Sequence, residues 1–302
     1  MKRRCLPSIT TIVMTFVLVL AASPAWAKGK KKPPPPPPLQ GKTIDYAWDG
    51  KDTGHPDRAW LGRAFVHQTA LADASAKRPL LVFIHGLNKE RIKYRWMGGG
   101  NEGDVRRIVA ELVEAGKIPP VIVAAPSSIV PSAVTNAVTS WPAFDLDRFV
   151  EETRAALGGT ANIDPSRILV AAHSGGGCNT RGGIATAIGG KTKVHAAISI
   201  DTCMLPDMAK ALAGSRSDMH VIVSWQTLSW AKRPFGEFRS VFTKGTAQSP
   251  AAPGFLRELE HVTPREPMPH DAMVGLTLGR WLPTLLMTAP PVGPTSTAPA
   301  SP

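Results

Sequence analysis

Five short stretches rich in apolar residues, interleaved with helical patterns, constrain this chain more than any other feature. They are residues 80–84, 120–125, 167–172, 195–200 and 220–225. A run of four to eight residues without polar alternation suits a strand buried on both faces, the usual state of a strand in a parallel sheet. Between and after them, segments 104–115, 144–157, 178–188 and 270–286 repeat apolar residues at helical spacing. Strands alternating with helices specify an α/β domain with a mostly parallel central sheet and helices on both faces. A weaker strand is expected over 61–69, within a mixed, Trp-containing stretch.

In such sheets ligands bind beyond the carboxyl ends of the strands, so the residues that follow strands are the candidates for chemistry. The third run ends in Ala172-His173-Ser174-Gly175-Gly176. A strand that turns directly into a helix strains the backbone of the turning residue, and a bulky side chain two positions before or after it meets neighbouring backbone. Ala172 and Gly176 satisfy that demand. Gly175 would offer a backbone N–H to an oxyanion, and a helix starting there would add its dipole. A bland glycine-rich turn or a phosphate-cradling loop has the same local pattern, so context has to decide.

The context is a serine, an acid and a histidine in chain order. Asp201 ends the fourth run, and His270 stands in Pro267-Met-Pro-His-Asp-Ala272 at the entrance to the last helix. A serine hydroxyl needs a base within hydrogen-bond reach, and a histidine can take its proton and return it to the leaving group. A carboxylate on the far ring nitrogen fixes the tautomer. Asp201 is favoured as that acid, with Glu237 beyond the fifth run as its rival. Asp271 adjoins His270 in sequence, which disfavours the required pairing, and His173 is expected to pack near the sheet without acting as a second base.

His85-Gly86 after a buried strand, Ala-His-Ser-Gly-Gly at 172–176, Asp201 after the next strand and Pro-His-Asp at 269–271 resemble the α/β-hydrolase superfamily. Within it, the chain is similar to exported bacterial esterases of the feruloyl-esterase and polyhydroxyalkanoate-depolymerase kind. The resemblance implies a serine hydrolase that cleaves carboxylic esters through an acyl-enzyme on Ser174, with an oxyanion hole made by the N–H groups of Leu87 and Gly175. Its substrate would be a small-molecule or polymeric ester. A peptidase or amidase with the same triad, and a non-catalytic envelope-binding protein on this scaffold, are the alternatives. Cys178 and Cys203 follow the serine and the acid on strands expected to be neighbours, and a disulfide between them is predicted.

The two ends read differently. Residues 1–27 have the pattern of a secretory signal peptide: Lys2, Arg3 and Arg4, an apolar stretch over 9–22, and Ala25-Trp-Ala27 as the cleavage site. A Lys- and Pro-rich linker is expected over 28–42, the hydrolase domain over 43–287 and a disordered Pro/Ala/Ser/Thr tail over 288–302. The mature protein is therefore expected to be secreted or periplasmic. Of the formal charge of +12, the leader and Lys28 to Lys32 supply all but +5. That location favours loose contact of Lys28–Lys32 with an anionic envelope over nucleic-acid binding. No spacing of His, Cys and carboxylates suggests a metal site, and no cofactor is expected. Trp96, Trp141, Trp225 and Trp230 are candidates for an acyl pocket or for ordinary packing, and loops 88–103 and 126–142 for covering the site.

Overall fold

A computed structural model describes residues 37–48, 60–128, 135–229, 232–265 and 267–287. The expected leader, most of the linker, the tail, Trp230 and part of loop 126–142 lie outside the described residues. In chain order the elements are β1 (Gly41–Trp48), β2 (Trp60–His67), α1 (Gln68–Leu71), β3 (Lys77–Ile84), α2 (Val105–Glu114), β4 (Ile122–Ser128) and α3 (Leu146–Leu157). They continue with β5 (Asn162–His173), α4 (Gly183–Gly189), β6 (Val194–Ile200), α5 (Pro206–Ala213), β7 (His220–Trp225), α6 (Phe235–Gln248), β8 (Arg257–His261) and α7 (Pro269–Met287). All but the first residues of this stretch belong to one compact unit, Leu39–Pro302.

The strands form one sheet in the order β1-β2-β4-β3-β5-β6-β7-β8. The five apolar runs are β3 to β7, parallel to one another at the centre. Three more strands extend the sheet. β2 pairs antiparallel with β4, β1 pairs antiparallel with β2, and β8 adds a parallel strand beside β7. Gly41 and Lys42, expected to close the linker, already pair in β1.

Alternation along the central strands divides the core into two layers. Leu80, Val82 and Ile84 of β3 face one side, with Phe149 of α3, Ile184 of α4, Met208 and Leu212 of α5 and Phe238 of α6. Leu81 and Phe83 face the other, against Val105 and Val109 of α2 and Val274, Leu278 and Leu282 of α7. Burying a side chain such as Phe83 or Phe149 contributes about 1.5–3 kcal/mol. Asp104 and Asp145 start α2 and α3 by accepting from the N–H groups of Arg106 and Arg148. Gly158 ends α3 in the left-handed conformation, at φ 52°.

The register sets the site. Ile84 pairs with Ala172, His173 with Ile200, and Ile200 with Ser224. The carboxyl ends of four neighbouring strands therefore finish level, and the residues after them emerge along one edge.

Candidate active site

Ser174 follows β5 with φ 54°, in the left-handed region that a serine enters only when its surroundings hold it there. Neighbouring backbone explains why small residues surround it. A Cβ on Gly176 would lie 2.5 Å from the carbonyl oxygen of Ile84, and one on Gly86 would lie 2.6 Å from Ser174 Cβ. The expected helix over 178–188 does not begin at the serine. Ser174–Gly177 make a single 3-10 turn, the chain then breaks, and α4 starts only at Gly183, where φ is 52°. Glycines at 175–177 and 182–183 favour that break, so the amides of one tight turn replace the expected helix dipole.

His85-Gly86-Leu87 follows β3 and packs on this turn. A Cβ on Gly86 would fall 2.9 Å from Ser174 Oγ and 3.2 Å from Gly175 N, and one on Gly175 would fall 3.3 Å from Leu87 N. Gly86 thus packs directly against the serine side chain and one amide, with the second amide next to it. Ser140, which no sequence pattern marks, and Trp141, a candidate for the pocket or for packing, tie these segments together. Ser140 Oγ donates to the carbonyl of Gly175, and Trp141 Nε1 donates to the carbonyl of His85 at 2.7 Å. Burial pushes the His85 imidazole down to about 4, so it stays neutral and structural.

Asp201 follows β6, also in the left-handed region at φ 45°, and is 1% exposed. Its Oδ2 is 2.5 Å from Nδ1 of His270, the second residue of α7. Gln226, the first residue after β7, donates to the same oxygen at 2.7 Å, and Arg233 donates to Oδ1 at 2.6 Å. Burial opposes ionisation of Asp201, but the bonds from His270, Arg233 and Gln226 outweigh it and hold the carboxyl below its ordinary range. Glu237 lies exposed in the first turn of α6. Asp271 lines the cleft beside His270, and burial raises its carboxyl.

Ser174 and His270 line one cleft of about 170 Å³, together with Gly86, Leu87, Arg95, Trp96, His173 and Asp271. His173 packs as expected, 2% exposed between Trp96 and His270, with its Nε2 3.1 Å from the carbonyl of His270. Burial, followed by the neighbouring His270, keeps its imidazole well below the ordinary value. Since the ring is neutral, Nε2 carries the proton and donates, which fixes the backbone of His270. Of the tryptophans, Trp96 lines the cleft, Trp141 is fully buried against Trp60 and His85, and Trp225 lies between Phe235 and His261. Loop 88–103 forms a fixed wall of the cleft: Arg63 donates to the carbonyl of Met97 and covers the Tyr94 ring, and Arg95 pairs with Glu90 and Glu102.

Cys178 and Cys203 are joined by a disulfide, with Cα atoms 5.2 Å apart, linking the serine turn to the loop that carries Asp201. Among the described residues no cluster of His, Cys, Asp and Glu is placed to hold a metal ion, and no helix is long and apolar enough to cross a membrane.

No protein-family model matches the sequence, and no curated protein matches it. Solved structures match in fold. A ferulic acid esterase aligns with a TM-score of 0.56 at 14% identity, over 83% of this chain and 99% of that one. The feruloyl esterase module of Clostridium thermocellum, an S954A mutant complexed with sinapinate, aligns at 0.55 and 12% identity, over 83% and 90%. An S-formylglutathione hydrolase from Agrobacterium tumefaciens aligns at 0.53 and 12%, over 83% and 98%. The chain has the α/β-hydrolase fold.

Proposed function

We propose that the protein is a serine hydrolase of carboxylic esters that works through an acyl-enzyme on Ser174, with His270 as base and Asp201 as its orienting acid. The observation that carries this reading is the 2.5 Å bond between His270 Nδ1 and buried Asp201, in a cleft that His270 shares with Ser174. With Nδ1 bonded to Asp201, Nε2 is the ring nitrogen that takes the serine proton. Ser174 Oγ attacks the ester carbonyl as its proton passes to His270, and the oxygen of the tetrahedral intermediate is held by the amides of Leu87 and Gly175. The C–O bond to the leaving alkoxide then breaks while His270 returns the proton to it. A water activated by His270 hydrolyses the acyl-enzyme and restores both side chains.

The cleft is smaller than the roughly 300–1,000 Å³ typical of pockets that enclose a ligand. It holds the groups flanking the scissile bond and leaves the rest of the substrate outside. The similar structures described as esterases support the ester over the amide.

The test is labelling with a fluorophosphonate probe, followed by turnover of aryl and alkyl esters and of matched amides. Parent protein should be labelled and Ser174→Ala should not. A folded parent without labelling overturns the proposal, and faster turnover of amides moves it to a peptidase.

We also propose that the protein is exported, with cleavage after Ala27 and the Lys28–Lys32 segment touching an anionic envelope. The leader pattern and a disulfide suited to oxidising compartments support this. N-terminal sequencing of the mature protein that found Met1 would refute it.

A further inference from the structure

A carboxylate buried as fully as Asp201 loses several kcal/mol of hydration, which neighbouring donors must replace. An aspartate serving one imidazole needs no second cation, yet here there is one. Arg233 Nη1 is 2.6 Å from Asp201 Oδ1 and 2.6 Å from the carbonyl of Thr202, and its side chain is 6% exposed. The guanidinium is fixed from its own side as well: Pro234 follows it and restricts its backbone, and its Cζ lies 5.6 Å from the Phe235 ring centroid. The two carboxylate oxygens are thus divided, Oδ1 to Arg233 and Oδ2 to His270 and Gln226.

We propose that Arg233 is a positioning residue: by holding Oδ1 it aims Oδ2 at His270, and by sharing the aspartate's charge it lets the site work at lower pH than an unshared aspartate would allow. The inference rests on the hydrolase reading above. A carboxylate next to an imidazolium stabilises the protonated ring, and a cation on that same carboxylate weakens the effect and also repels the imidazolium directly. Removing the cation therefore keeps His270 protonated to higher pH, where it cannot serve as base. The other charged and titratable groups near His270 are His173 from β5, held neutral by burial, Asp271 on α7, and Arg95, already paired with Glu90 and Glu102. None of these is bonded to Asp201.

The experiment compares parent, Arg233→Lys and Arg233→Gln in two ways: kcat/KM against pH on a small activated ester, and the NMR titration of the His270 ring without substrate. Arg233→Gln should move the acid-side midpoint of both curves up by about one pH unit. Arg233→Lys keeps the charge but loses the planar fork, so its shift should be smaller and in the same direction. Midpoints unmoved in the folded Gln variant, with activity lowered equally at every pH, would mean a merely structural arginine and overturn the proposal. Should Arg233→Gln fail to fold, Arg233→Met removes the same charge and decides, and an unmoved midpoint there overturns it too. If the parent turns over no ester, the hydrolase reading fails, while the NMR midpoints still decide for or against Arg233.

Discussion

The two sides of the site are built by different physics. On the serine side, sterics decide: a Cβ on Gly176 would meet the carbonyl of Ile84 and one on Gly86 would meet Ser174 Cβ, so β3 and the turn after β5 approach with no room for a side chain. On the acid side, Asp201 is surrounded by side-chain donors that arrive from β7, from the segment before α6 and from α7. The disulfide joins the two. Steric placement is insensitive to charge and intolerant of volume, whereas the polar cage has the opposite sensitivities.

The largest effect expected from that contrast comes from a change of charge at constant volume. Asp201→Asn presents an amide to His270, which accepts the wrong tautomer, and it leaves Arg233 buried without its anion. We expect kcat to fall by about 10⁴-fold, with Ser174 still in place. Steady-state kinetics on protein shown to be folded by circular dichroism would check this. A loss below tenfold would remove Asp201 from the role of acid.

The converse is a change of volume without charge. In Gly176→Ala the new methyl carbon would lie 2.5 Å from the carbonyl oxygen of Ile84 and 3.1 Å from that of His85, so backbone must move. The cost expected is about 3 kcal/mol, a fall in Tm of roughly 6–12 °C for a domain of this size. Calorimetry measures it directly. An unchanged Tm would show that the serine turn has slack, and the contrast between the two sides would collapse.

The same difference explains what the sequence could show. Sterics of small residues are local, so Ala172, Ser174 and Gly176 suggest an elbow within five positions; Asp201 is legible as a strand-end residue, and His270 only as the residue at the entrance to the last helix. The polar cage is not local. Arg233 is 32 residues from Asp201, in a mixed segment with no periodicity, and nothing nearby marks it as a partner. Gln226 was within reach of the strand-end rule, since it directly follows β7, but a neutral amide is not a group one looks for in a catalytic role. Two strands were unreadable for a related reason. β8 reads Arg-Glu-Leu-Glu-His, the charged composition of a protected sheet edge, and β1 is mostly exposed, so neither presents an apolar run. The helix after Ser174 begins at Gly183 and not at Cys178, because the glycines before it outweigh the apolar spacing over 178–188.

The smallest effect expected is at Glu237, and it tests whether proximity in sequence or orientation selects the acid. Glu237 lies four residues beyond Arg233, so chain distance alone brings it close to the site. Its side chain is nevertheless exposed in the first turn of α6, where a carboxylate interacts with the amide ends of the helix. Glu237→Gln should leave kcat/KM within about twofold, since surface substitutions of this kind stay within about 0.5 kcal/mol, and should lower stability by only about 0.3–1 kcal/mol through the lost dipole interaction. Kinetics beside Asp201→Asn in one preparation series makes the comparison. Equal losses in the two variants would mean that the acid side is not the closed cage around Asp201 but a pair of carboxylates sharing the imidazole. That arrangement would require α6 to unwind its first turn, because His270 Nδ1 already donates to Asp201 and a helix holds Glu237 out toward solvent.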